Sequence, residues 1–248
     1  MSEKYNNKLL PAYDFDLSKT DPEFADLFYS FAFDEVVKEE GKTLDDRTRM
    51  LAILSALLGC QGIDQFKAMI PAALNAGATP VEIKETVYQS VAYLGIGRVL
   101  PFLKAVNDVF QSLGIALPLE GQSTAAPSNR REKGTQVQVD IFGEQMKEFY
   151  KSGPEESKHI NRWLAANCFG DYYTRTGLDC KDREMITFCF IAAQGGCEPQ
   201  LISHAAANMK IGNNKQFLIN VISQCLPYIG YPRSLNALNC VNEASKNI

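Results

Sequence analysis

Apolar residues return at three- and four-residue steps along most of the chain, and few runs alternate with period two for long. That pattern predicts helices nearly throughout. Asp21-Pro22 offers an N-cap and a proline at the first helical position, and Phe24, Leu27, Phe28, Phe31 and Val36 follow as an apolar stripe that Gly41 stops. A second helix is predicted from Asp45/Asp46 to Gly59-Cys60. A third covers about Asp64 to Asn75, with Gly77 as a left-handed cap. Thr79-Pro80-x-Glu82 reads as the next start: a capping residue, a proline, an acidic first turn. That helix runs to about Leu94 and ends at Gly95, and Pro101 opens or kinks one more, which ends at Gly114. Residues 117–135, LPLEGQSTAAPSNRREKGT, have little to bury and predict a linker or exposed crossover.

The pattern then returns. A shift of 135 positions lays Gly77 on Gly212, Gly95 on Gly230, Arg98 on Arg233, Tyr93 on Tyr228 and Gln89 on Gln224, with Leu100, Val106 and Asn107 on Leu235, Val241 and Asn242. This many matches in one frame, both cap glycines included, argue for a duplicated helical unit. Upstream the frame drifts, and Arg47 pairs best with Arg183 and Gly59-Cys60 with Gly196-Cys197. The expected fold is therefore all-α. It divides into an N-terminal arm and helix (1–43), a first unit (44–116), a linker (117–137) and a second unit with a helical extension (138–248).

Composition narrows the function classes. The 248 residues are 46% hydrophobic and 22% charged, with a net charge of −4 and no long basic run. That excludes wholesale disorder and argues against nucleic acid as a partner. No apolar stretch approaches the ~20 residues that span a bilayer, so no membrane role is expected. The first residues, MSEKYNNKLLPAYDFD, lack the apolar core of a secretory signal. Seven irregularly spaced cysteines read as reduced thiols of a cytoplasmic protein, and with no CxxC and only His159 and His204 no metal site is expected.

Ala72-Ala-Leu-Asn-Ala-Gly-Ala-Thr-Pro-Val-Glu-Ile-Lys-Glu85 resembles the helix–turn–helix signature of the carboxymuconolactone decarboxylase and alkylhydroperoxidase D superfamily. Tyr93-Leu-Gly-Ile-Gly-Arg98 and Tyr228-Ile-Gly-Tyr-Pro-Arg233 resemble the turn that follows it. Phe169-Gly-Asp-Tyr-Tyr-Thr-Arg-Thr-Gly-Leu178 resembles the entry to a decarboxylase-type unit. The resemblance covers roughly 44–116 and 140–245. It implies an all-helical unit assembling into rings of six. Two fused units per chain then give a homotrimer.

The resemblance also implies where chemistry sits. In the peroxidase branch the active helix carries Cys-x-x-Cys-x-x-x-His, with the histidine eight residues before the glycine cap. With Gly212 as that glycine, His204 is the histidine, Cys197 the first cysteine, and Gln200 stands where the reactive cysteine would be. The decarboxylase branch keeps the histidine without the cysteine pair. Helix geometry agrees: Cys197 caps a helix whose dipole favours a thiolate, and Gln200 and His204 lie one turn apart. Cysteine is also commonly a small buried hydrophobe. Glu184 lies near the family's relay glutamate, one residue further off, and reads equally as a first-turn acid. In the first unit the same positions hold Met69, Gln65 and Gly62, so that unit reads as structural or as a wall of the other's site. Trp163, Phe169, Tyr172 and Tyr173 read as core, and His159 as a surface residue. Arg98 and Arg233 read as structural, leaving Arg175 as the first candidate to hold a substrate carboxylate.

The leading reading is a cofactor-free lyase or isomerase acting on a small carboxylated, lactone-type substrate. His204 is the proton donor, and Gln200 and Arg175 are substrate contacts. The alternatives are a thiol peroxidase using Cys197, His204 and Glu184, and a non-catalytic oligomeric binding protein.

Overall fold

The computed structural model describes residues 17–41 and 44–247, and among these there are helices and connections but no strands. Helix α1 starts with Pro22–Ser30 and runs on through a π-helical turn, Phe31–Glu35, to Lys38. Four helices complete the first unit: α2 Asp46–Cys60, α3 Ile63–Asn75, α4 Pro80–Leu94 and α5 Ile96–Ser112. After a crossover come α6 Arg130–Phe142 and α7, which is Lys158–Trp163 extended by a π-helical stretch, Leu164–Tyr173. The second unit then has α8 Cys180–Gln194, α9 Glu198–Lys210 and α10 Lys215–Ala244.

The repeat is visible helix by helix. α2 and α8 each have 15 residues, α3 and α9 each have 13. Each begins its unit's core with an aspartate N-cap: Asp45 accepts from the Thr48 N–H and Asp179 from the Asp182 N–H. Gly95 (φ 78°) separates α4 from α5, and Gly230 (φ 77°) bends α10 at the matching place. Only a residue without Cβ takes that conformation without strain. The aligned N-caps correct one pairing: Arg49, not Arg47, is the counterpart of Arg183, and both are buried. Likewise Gly62, the N-cap of α3, matches Cys197, the N-cap of α9, whereas Cys60 is the last residue of α2.

α2 and α8 form the centre of the molecule. Thr48–Gly59 and Arg183–Ala193 are buried without interruption, the signature of helices surrounded on all sides. They touch backbone to backbone where a Cβ on Gly59 would stand 2.6 Å from the Phe190 carbonyl oxygen. The remaining helices pack around this pair, and α4 of the first unit lies against α8 of the second.

The stretch expected to be a linker through residue 137 is helical from Arg130 onward, and it is not a free tether. The Thr176 N–H donates to the Gln122 carbonyl at 3.0 Å, Thr124 Oγ1 donates to the Thr174 carbonyl at 2.7 Å, and Leu117 and Leu119 pack on the core. α6 lies on α7 through glycines: a Cβ on Gly134 would meet the Ala165 carbonyl oxygen at 1.9 Å, and one on Gly170 the Arg130 carbonyl oxygen at 2.1 Å. A helix docked through glycine has no apolar stripe to announce it. The expected aromatic core divides as well. Phe169 and Tyr173 are buried and Tyr172 half-buried, whereas Trp163 is 57% exposed and stands edge-on to His159.

Candidate active site

Four elements bring polar side chains to one buried place between the units, and a fifth adds an aromatic ring. α9 supplies His204, 8% exposed; α8 supplies Glu184 and Thr187, both fully buried. The π-helical end of α7 supplies Tyr173, and α4 of the first unit supplies Tyr93 and Gln89. α6 ends in Phe142, whose ring stands edge-to-face to His204 at 5.5 Å; the Tyr93 ring does the same at 5.6 Å from another side.

The Nδ1 atom of His204 lies 2.8 Å from Glu184 Oε2. The other carboxylate oxygen accepts from the Tyr173 hydroxyl at 2.7 Å. Thr187 Oγ1 is 2.8 Å and the Tyr93 hydroxyl 3.0 Å from the Tyr173 oxygen. Burial pushes the phenols of Tyr173 and Tyr93 well above their ordinary range, so both stay protonated, and it pushes the Cys168 thiol, which donates to Tyr93, up to about 12. Asn208 Nδ2 donates to the Glu184 carbonyl at 2.9 Å and the His204 carbonyl at 2.8 Å, tying α9 to α8 directly beneath the pair.

A second cluster joins this one through Gln89. Its amide oxygen accepts from Arg183 Nη1 at 2.7 Å, and its nitrogen donates to Thr187 Oγ1 at 2.9 Å. Arg183 Nη2 donates to Glu85 Oε2 at 3.1 Å and to the carbonyls of Arg175 and Thr176. Burial works against the guanidinium charge of Arg183, and the Glu85 carboxylate opposes that loss.

Of the residues expected from sequence, His204 and Glu184 are in direct contact. The extra residue of spacing before the histidine does not separate them: the two side chains meet at 2.8 Å across α8 and α9. Arg175 needs correction as a substrate contact. Its Nε reaches both Glu85 oxygens at 3.0 and 2.9 Å, its Nη2 reaches one at 2.8 Å, and its guanidinium stacks over Tyr88. The guanidinium is committed within the protein. Gln200, one turn before His204, is exposed. Cys197 is half-buried at the N-terminus of α9, where Gln194 Nε2 donates to its sulfur at 3.2 Å and Arg98 Nη1 holds Gln194 Oε1 at 2.8 Å. Arg98 thus grips a side chain of the second unit rather than helix-terminal carbonyls.

Tyr173, Thr187, Tyr93 and Gln89 were not named as site residues by the sequence. A signal existed: Glu85, Gln89 and Tyr93 stand four residues apart, a polar stripe along one side of α4, and that side faces α8. Among the described residues no helix is long and apolar enough to cross a membrane, and no group of three or more His, Cys, Asp or Glu is placed to hold a metal.

Comparison with known proteins agrees with this architecture. The model of the carboxymuconolactone decarboxylase family matches residues 22–108 and 159–243, so α1 and α7 open the two matched segments. A curated relative, the 4-carboxymuconolactone decarboxylase of Acinetobacter baylyi (strain ATCC 33305 / BD413 / ADP1), is 28% identical over 116 residues, covering 47% of this chain and 82% of the relative. A solved structure assigned as a gamma-carboxymuconolactone decarboxylase subunit from Burkholderia xenovorans LB400 superposes with a TM-score of 0.55 at 21% identity. That match covers 93% of this chain and 89% of the other, and it bears on the fold alone. With two tandem matches spanning more than half of its length, the chain belongs to the carboxymuconolactone decarboxylase family.

Proposed function

We propose that the second unit carries out proton-transfer chemistry on a small carboxylated, lactone-type substrate, with His204 as the acid that protonates carbon. The observation that carries this reading is the buried Glu184–His204 contact at 2.8 Å, with the second Glu184 oxygen held by Tyr173. A carboxylate beside Nδ1 orients the ring and leaves Nε2 as the nitrogen offered outward; Nε2 has no hydrogen-bond partner among the described residues. When a vinylogous carboxylate leaves as CO₂, its electron pair moves toward the lactone carbonyl. The resulting dienolate takes a proton at carbon from Nε2, and the neutral imidazole recovers one from solvent. The rings of Tyr93 and Phe142 stand edge-to-face to the imidazole and hold it in place.

The test is CO₂ release from 4-carboxymuconolactone and related unsaturated lactone carboxylates. We expect turnover that His204→Gln abolishes and Met69→Leu, at the corresponding place in the first unit, leaves intact. No turnover on any of these substrates, or equal loss from both variants, overturns the reading. A thiol-peroxidase activity is favoured by one observation, the exposed side of Cys197 with Gln194 donating to its sulfur. Peroxide-dependent consumption of external thiol, lost in Cys197→Ser, would identify it.

A further inference from the structure

We propose that Tyr93 and Gln89, both on helix α4 of the first unit, are positioning residues for the Glu184–His204 pair of the second unit, acting through the hydroxyl of Tyr173. The proposal deepens the reading of His204 as the proton-transfer residue and rests on it for the catalytic consequence only.

The directions of the hydrogen bonds follow from which groups can donate. Arg183 has donors alone, so its Nη1 contact fixes the Gln89 amide with oxygen toward the guanidinium and nitrogen toward Thr187. Tyr173 gives its one proton to Glu184. The Thr187 and Tyr93 contacts must therefore run inward, each hydroxyl donating to the Tyr173 oxygen. Cys168 completes the set by donating to the Tyr93 oxygen at 3.6 Å. The result is one polarised chain, from Arg183 through Gln89, Thr187 and Tyr173 to Glu184, with Tyr93 as a side branch. Every link points toward the carboxylate. A hydroxyl that accepts two hydrogen bonds is a stronger donor, so Tyr93 and Thr187 sharpen the hold of Tyr173 on Glu184. Glu184, held by Tyr173 on one oxygen, turns the other to His204 Nδ1 and fixes the neutral imidazole with its proton there.

Charge supports the same arrangement. Two guanidiniums, Arg175 and Arg183, share one carboxylate, Glu85. Glu85 contacts both guanidiniums, so the neutral chain connects the remaining positive charge to Glu184. The titratable groups that face His204 are Glu184 from α8, Tyr173 and Cys168 from α7, and Tyr93 from α4; α6 contributes only the Phe142 ring. The first unit has lost its own acid–base set, but its α4 completes the other unit's site.

The experiment uses the full chain and needs no substrate. The sequence has two histidines, so ¹⁵N spectra resolve His204 once His159→Gln assigns the other signal. We expect His204 to carry its neutral-state proton on Nδ1 and that proton to exchange slowly with water. Tyr93→Phe keeps the ring that stands against His204 and removes only the hydroxyl. It should speed Nδ1–H exchange by at least about threefold, and Tyr173→Phe by about tenfold or more. In the Tyr173→Phe background, Tyr93→Phe should add nothing, because its effect passes through the missing hydroxyl. Gln89→Met should behave in the same non-additive way. A proton on Nε2 in the parent chain overturns the proposal. So does an unchanged exchange rate in a Tyr93→Phe protein with native helix content and melting, or an effect of Tyr93→Phe that is fully additive with Tyr173→Phe. Where turnover is measurable, Tyr93→Phe should lower kcat with KM unchanged. If the exchange results hold and turnover is absent, the positioning stands and the lyase reading falls.

Discussion

Replacing Glu85 by glutamine tests whether the two units are joined by a buried charge cluster or merely by packed helices. Glu85 is 1% exposed and takes three hydrogen bonds from Arg175 and one, at 3.1 Å, from Arg183. Glu85→Gln keeps the volume and one acceptor but removes the charge. Arg175, with 19% of its side chain exposed, can turn to water. Arg183, at 1%, cannot; it keeps the Gln89 oxygen and two carbonyls, but no anion touches it. Removing one partner of a buried pair costs about 3–5 kcal/mol, and the amide oxygen that remains puts this variant at the lower end, about 3 kcal/mol. With a urea m-value of about 3 kcal/mol/M, the unfolding midpoint should fall by about 1 M. Adding Arg183→Met should destabilise by much less than the sum of the single changes, because the stranded charge is then gone. A midpoint shift under about 0.3 M for Glu85→Gln, or strict additivity in the double variant, would refute the idea that this carboxylate balances a buried guanidinium.

Three further outcomes follow from the thiols and from the surface. Burial raises the Cys168 thiol to about 12, so thiolate is scarce there until the pH approaches that value; native-state alkylation near pH 8 followed by peptide mass mapping should label half-exposed Cys197 well before buried Cys168. One equivalent of peroxide should yield no rapid disulfide at Cys197, since Gln200 stands where a partner thiol would be, and a two-hydrogen mass loss mapped to Cys197 would contradict this. Ile96 and Leu100 are exposed, and so are Tyr231 and Leu235 at the matching places of the second unit. We therefore propose a homotrimer in which these repeated apolar positions are covered, and light scattering that gives a single chain's mass at micromolar concentration would refute it.

Helix starts were legible where they carry their own chemistry. Asp45, Thr79, Asp179 and Asn214 are all side-chain N-caps, and Gly95 and Gly230 take the left-handed backbone that only glycine accepts freely. His204 was singled out only through the family resemblance, which implies a histidine eight residues before the glycine cap. What sequence could not provide was the partner across the gap between units. Tyr173 and Tyr93 are 80 residues apart, and nothing local distinguishes an aromatic that packs from one whose hydroxyl is spent on a carboxylate. Arg175 misled for the same reason: a lone arginine beside a motif resembles a substrate clamp until Glu85, 90 residues away, is found in its fork. α6 was missed as a helix because its contact with α7 runs through Gly134 and Gly170, which leave no hydrophobic period.

The first unit does not repeat the Glu184–His204 arrangement. With the N-caps aligned, the places of Glu184 and Thr187 hold Met50 and Ile53, and the place of His204 holds Met69; all three are 2% exposed or less. Had one polar member remained there, its partners' absence would have left a buried group unsatisfied, at a cost of about 1–3 kcal/mol. Exchanging the set together for apolar side chains carries no such penalty and adds core packing. The members that persist have other partners. Arg49, the counterpart of Arg183, reaches Asp46 at 3.1 Å, and Gln224, the counterpart of Gln89, donates to the Val36 carbonyl at 3.0 Å. The matching positions thus keep side chains that hold helices to one another, and are apolar where the second unit has Glu184, Thr187 and His204. Its helix α4 is different: Glu85, Gln89 and Tyr93 all bond across to residues of the second unit's matched segment, so their polar character follows from the neighbour's site rather than their own.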